Sequence, residues 1–176
     1  MKLNVLFCEH VGWGGDDEDF DALWERFLLH LRMNQPDNVF DVGKRNPELG
    51  YVERLERFVG MLEGVCDEIV QEVGEFDDAG GFDAGLSYDV NELVKLVMEY
   101  RVYHDKLVGW VGSDDEALGK GFFYNMVKLD GRIIGVLNGI LDFVRVNRVL
   151  SYEVLAEIRR VIGFYNWRRR TLRRTL

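Results

Sequence analysis

The sequence predicts an all-α fold, a helical bundle built from two small helical subdomains, and three observations carry that reading. Apolar residues recur at three- and four-residue steps in five or six long stretches. Helix-capping signals precede most of these stretches, and apart from two short segments no run alternates convincingly between apolar and polar residues as a half-buried strand would. With 176 residues and 47% hydrophobic side chains, the chain is long enough to bury about 70% of its unfolded surface without help from disulfides or a metal.

The first helix follows "GWGGDD", where Asp16 or Asp17 can cap its N-terminus and the next acids complement the helix dipole. Phe20, Leu23, Trp24, Phe27, Leu28 and Leu31 form its apolar face, which runs to about Asn34. A connection, "NQPDNVFDVGKRNPELG", leads to a second, long helix in which Asn46 caps and Pro47 takes the first position. Its stripe is Leu49, Val52, Leu55, Val59, Leu62, Cys66, Ile69 and Val73. Four glycines and three aspartates in "GEFDDAGGFDAG" break the pattern. This places an N-terminal subdomain at 1–76, a linker at 77–86 and a C-terminal subdomain at 87–176.

Beyond the linker, Leu93, Val97, Tyr100, His104 and Leu107 have helical spacing. Ser113 and Glu116 offer a capping box for the helix after it. Another start falls at Ser151, and "SYDVNELVKLV" (87–97) and "SYEVLAEIRRVI" (151–162) share a Ser-Tyr-acid-Val opening. Either a duplicated helix or two independent cap signals would produce that similarity. The segments "KLNVLF" and "NVFDV" read as short strands or extended packing segments. Glycines recur at four-residue steps at Gly60 and Gly64 and again at Gly131, Gly135 and Gly139. Each interior glycine costs a helix about 1 kcal/mol, so the spacing predicts close helix packing, within the chain or between subunits.

The two cysteines, Cys8 and Cys66, lie far apart without zinc-ligand spacing and suit a reducing cytoplasm. The opening "MKLNVLFCEHVGWGG" is too short and too polar for a signal peptide. No apolar stretch spans a bilayer, because "RIIGVLNGILDFVRV" contains Arg132, Asn138, Asp142 and Arg145 and reads as a buried helix. The expectation is a cytoplasmic protein without membrane attachment.

Signatures of catalytic chemistry are scarce in the sequence. No lysine follows "GWGGDD" to complete a phosphate loop, no serine sits in a nucleophile elbow, and His10, His30 and His104 form no two-histidine helical pair. Cys8 and His10 would need metal ligands from elsewhere. Glu68, Glu72 and Glu75 share a helix face, which suits a solvated surface better than a magnesium-dependent hydrolase lacking basic phosphate partners. The sequence therefore predicts neither enzyme activity, nor a metal site, nor a cofactor.

Charge is more informative. From Glu157 to Leu176 there are seven arginines and one acid, a balance of +6, which leaves −15 on the first 156 residues of a chain whose net charge is −9. Such segregation points to a partner or a self-contact. On a continuous terminal helix, Val154, Ile158, Val161, Ile162 and Tyr165 form a buried line that Leu172 and Leu176 extend. Arg159, Arg170, Arg173 and Arg174 then occupy an arc of about 100° beside it. The planar guanidinium fork suits phosphate, and Trp167 offers a stacking face. Pairing with the acids at Asp16, Asp17, Glu18, Asp19 and Asp21, a localisation signal, or simple solubility are the other roles open to the tail. Screening beyond about 8 Å at physiological salt allows a local basic surface to bind a polyanion despite the acidic total, and self-association would repeat that surface.

Residues 98–167 resemble the small RNA-silencing suppressors of closteroviruses. The likeness lies in the order and spacing of "MEYRVYHDKLVGWVGSDDEALGKGFFYNMVKLDGRIIGVLNGILDFVRVNRVLSYEVLAEIRRVIGFYNW": a helix, an acid-capped turn, a long helix and a Ser-Tyr-started terminal helix. The resemblance implies a self-associating, all-α protein of two helical subdomains that binds small double-stranded RNA without reading sequence. Recognition by shape suits A-form RNA, whose deep major groove hides the base edges. Candidate RNA contacts are Arg132, Arg145, Arg148, Arg159, Arg160, Trp167, Arg168, Arg169, Arg170, Arg173 and Arg174, of which the first six lie in the matching region.

The leading expectation is a viral protein that sequesters small duplex RNA in the host cytoplasm and so blocks RNA silencing. The alternative is an acidic helical interaction module, of inhibitor or immunity type, that occupies a basic site on a partner protein through Asp16–Asp21 and Asp114–Glu116.

Overall fold

The computed structural model describes the backbone of residues 17–33 and 47–174, and within them the side chains of 20–29, 55–163 and 165. These residues form an all-α bundle of five helices: α1 (Asp17–Met33), α2 (Pro47–Asp78), α3 (Ala84–Trp110), α4 (Glu116–Asn147) and α5 (Tyr152–Arg174). No strand occurs among the described residues. "KLNVLF", "NVFDV" and the Asn46 cap lie outside them, as do Asp16, Cys8 and His10.

The spacing of apolar residues sets what each helix buries. Phe20, Leu23, Trp24, Phe27 and Leu28 of α1 face inward, and the α2 stripe runs from Leu55 through Phe58, Val59, Leu62, Val65, Cys66 and Ile69 to Val73. Helix α4 contributes the middle of the core with Ile133, Ile134, Leu137 and Ile140. Each such side chain is worth about 1.5–3 kcal/mol of transfer free energy. All five helices contribute to one buried cluster. None of the described helices is long and apolar enough to cross a membrane.

Short turns fold α2, α3 and α4 back on one another as antiparallel neighbours, and the α3–α4 pair has the most extensive contact. Helix α5 returns across α2 and α1. The turn after α2 falls within the 77–86 segment and is built by a Schellman motif. Gly81 N–H donates to Phe76 O and Gly80 N–H to Asp77 O, each at 3.0 Å, and Gly80 supplies the required left-handed backbone with φ 86°.

Three local expectations are corrected. Asp83 caps α3, accepting from Leu86 N–H at 2.9 Å, so Ser87 lies inside the helix and the two Ser-Tyr segments are not equivalent helix starts. Asp115 rather than Ser113 caps α4, accepting from Leu118 N–H at 3.2 Å. Glu116 then faces α1 and accepts from Trp24 Nε1–H at 3.2 Å, so the expected capping box does not form. The exposed glycines Gly60 and Gly64 would admit a β-carbon with nothing within 4 Å, so neither supports close helix approach within the chain. Close approach occurs instead at Gly119, where a β-carbon would fall inside the Trp110 indole.

Candidate nucleic-acid interface

The α4–α5 corner is shaped by the way each helix ends. Helix α4 stops at Arg148, a non-glycine residue in the left-handed conformation (φ 51°, ψ 45°), whose N–H donates to Val144 O at 2.9 Å. That conformation costs an L-residue about 1–2 kcal/mol. Helix α5 is then capped by Ser151, whose hydroxyl accepts from Val154 N–H at 3.3 Å. The reciprocal carboxylate of a capping box would come from the third residue of the helix, but that residue is Val154. Glu72 of α2 supplies it across the fold, accepting from Ser151 N–H at 2.8 Å and from its hydroxyl at 3.0 Å. Glu72, read from sequence as part of a solvated acid row, therefore anchors the start of α5.

Between the two helices lies an open cleft of about 390 Å³. Val144 and Leu150, both buried, form its apolar base with the partly buried Leu141 and Leu155. Arg145 and Arg148 from α4 and Arg159 from α5 line it, all exposed, and Tyr152 stands beside them 87% exposed. None of these three guanidinium groups forms an ion pair among the described residues. Three forked donors around one concavity, with an aromatic face at its edge, can hold phosphate oxygens and a stacked base or sugar.

The other candidates are placed differently. Arg132 sits 13 residues before Arg145, about 20 Å away along the helix axis, and pairs with Glu92 of α3 at 3.1 Å. Arg160 is exposed on α5 and pairs with Glu157 one turn back at 2.9 Å. The backbone of α5 stays helical through Arg168, Arg169, Arg170, Arg173 and Arg174, which continues the helix past the cleft. The side chains of these residues and of Trp167 lie outside the described set. Sequence reading missed Tyr152 as a site residue; its place on the polar side of the Ser-Tyr opening was the available signal.

The acidic surface behind the alternative reading is partly committed to the fold. Asp115 caps α4, Glu116 binds Trp24, and Asp21 of α1 pairs with Lys120 of α4. Asp114 stays exposed between them.

A second polar cluster joins α2 to α3. Arg101 donates from Nε and Nη2 to Glu63 and from Nη1 to both oxygens of Glu56 at 3.0 Å and to Asp105 at 3.3 Å. Hydrogen bonds to Glu63 and then Glu56 raise the Arg101 pKa above its ordinary value, against burial. Burial pushes the Asp105 carboxyl up, but the hydrogen bonds from His104 and Arg101 outweigh it and hold it below the usual range. Glu56, His104 and Asp105 bring three ligand atoms within 4.8 Å of one another; Glu68, Glu72 and Glu75 form no such group among the described residues.

No protein-family model matches the chain, and no curated protein or solved structure matches it either.

Proposed function

We propose that the chain binds small double-stranded RNA, without reading its sequence, along a surface that starts at the α4–α5 cleft and continues down the arginine-rich end of α5. The observation that carries this reading is the convergence of Arg145, Arg148 and Arg159 on one cleft with no acidic partner among the described residues. All three lie in the segment that resembles the closterovirus silencing suppressors, and that resemblance supplies the biological role: sequestration of silencing RNA in the host cytoplasm by a self-associating viral protein. Binding of this kind needs positioned cations rather than a catalytic group, since duplex RNA offers phosphates and 2′-hydroxyls across its shallow groove. The acidic-module alternative has less support, because Asp115 and Glu116 already serve α4 and Trp24.

The test is binding of a labelled short RNA duplex across a salt series. The full chain should bind with strong salt dependence, and Arg145→Ala, Arg148→Ala and Arg159→Ala together should make the log–log slope shallower by about 2 to 3. A version ending at Asn166 should weaken binding further. No binding by the full chain at low salt would overturn the proposal and turn attention to the acidic surface.

A further inference from the structure

The imidazole of His104 is only 1% exposed, and its Nε2 has no hydrogen-bond partner among the described residues. Nδ1 lies 3.2 Å from Asp105 Oδ1. A carboxylate can only accept, so when the ring is neutral Nδ1 carries its proton and Nε2 presents a lone pair. That lone pair faces Glu56 Oε2 at 3.6 Å, too far for a hydrogen bond. In that state two electron-rich atoms face each other at the edge of the core, an arrangement a cation between them would relieve.

The surrounding charge is unbalanced in the same direction. Glu56, Glu63 and Asp105 oppose one guanidinium, Arg101, which leaves a local charge of −2. A single nitrogen of Arg101, Nη1, serves both oxygens of Glu56 and one of Asp105. It has two protons for three acceptors.

We propose that His104 Nε2 and the Glu56 carboxylate form a site for a divalent transition metal of zinc type that links α3 to α2. Asp105 is the orienting carboxylate, and solvent completes the coordination on the exposed side. Distance, tautomer and charge agree on this. Two ligands bonded at about 2.0–2.1 Å to one tetrahedral zinc lie about 3.4 Å apart, and Nε2 and Oε2 are 3.6 Å apart. A histidine ligand ordinarily gives its second N–H to a carboxylate, which is the place Asp105 holds. Arg101 keeps two donors on Glu63 when Glu56 turns to the metal, so its charge stays paired. Glu56 is exposed, so its side chain has room to swing aside and admit an ion to the buried nitrogen.

The experiment is titration of the purified full chain with Co2+, followed by the visible ligand-field absorption, and then displacement by Zn2+. One Co2+ per chain should bind saturably and leave on zinc addition. Glu56→Gln, an isosteric change at an exposed position that keeps an acceptor for Arg101, should weaken binding at least tenfold. Asp105→Asn should cost about tenfold by freeing the ring orientation, and Glu68→Gln, three turns along α2, should change nothing. Absence of a saturable Co2+ spectrum would overturn the site. So would uptake that survives Glu56→Gln unchanged, which would place the ion among other surface acids.

Discussion

Replacing Gly119 and Gly121 by alanine, one at a time, tests whether the α1–α3–α4 corner is packed as described. Both glycines lie in the first two turns of α4, so helix propensity alone favours alanine by about 1 kcal/mol at either position. At Gly121 an added β-carbon meets nothing within 4 Å, and the variant should gain about 0.5–1 kcal/mol. At Gly119 the β-carbon would fall among the central atoms of the Trp110 indole. That ring has little freedom. Its Nε1–H donates to Asp115 O at 2.6 Å, and Trp24 lies against it with centroids 5.5 Å apart.

Moving the indole loses part of that hydrogen bond, about 1 kcal/mol, on top of an overpacking cost of about 1–3 kcal/mol. After the propensity gain, Gly119→Ala should destabilise by about 1–3 kcal/mol, leaving the two variants about 1.5–4 kcal/mol apart. Urea unfolding is the assay. With a slope of about 2 kcal/mol per molar, the midpoints should differ by about 0.8–2 M. If Gly119→Ala proved as stable as Gly121→Ala, the placement of Trp110 against α4 would be wrong.

Three further outcomes follow from other parts of the molecule. Glu72→Ala removes the carboxylate that anchors Ser151 and should cost about 1–2 kcal/mol in urea unfolding, whereas Glu68→Ala on the exposed face should change stability by less than about 0.5 kcal/mol. Arg148→Gly relieves the left-handed backbone and should stabilise the fold by about 1 kcal/mol; in RNA binding it should lower the salt slope by about 1, so stability and affinity move in opposite directions. Burial, reinforced by Asp67 and Glu63, pushes the Cys66 thiol up to about 11 from 9.0. The folded chain therefore holds that proton more tightly than the unfolded one. The associated stability is complete below pH 9 and is lost as pH rises from about 9 to 11, by up to about 3 kcal/mol. Cys66→Ala should flatten that part of the stability profile, and the native thiol should resist alkylation.

The helices themselves were legible because their signals are local. Apolar spacing located α1 through α5, Pro47 marked the start of α2 as the first helical residue, and the buried faces agree with the predicted stripes at Leu55–Val73 and Val154–Tyr165. Capping was legible only where a single good residue competed. Near α4, Ser113, Asp114 and Asp115 could all cap, and the choice went to Asp115 because a start at Glu116 lets its carboxylate reach Trp24 on α1. Ser87 resembled Ser151, yet Asp83 caps first because the Schellman turn at Gly80 and Gly81 ends α2 early enough for α3 to begin at Ala84. Glycine spacing suggested packing at Gly60 and Gly64, but whether a glycine is crowded depends on what lies opposite it.

For the candidate interface, composition pointed to the arginines between Glu157 and Leu176, whereas two of the three that line the cleft, Arg145 and Arg148, precede that segment. It did not separate Arg145, Arg148 and Arg159, which share one cleft, from Arg132, which is paired to Glu92 far along the same helix. Nor could it connect Glu56 to His104 or Glu72 to Ser151, pairs separated by tens of residues in the chain. The sequence by itself determined which segments are helical and which face of each is buried, since periodicity and propensity act within a few turns. Only the tertiary structure decided which caps are used, which glycine is crowded and which charges meet, because each depends on the distance between helices brought together by the shared core.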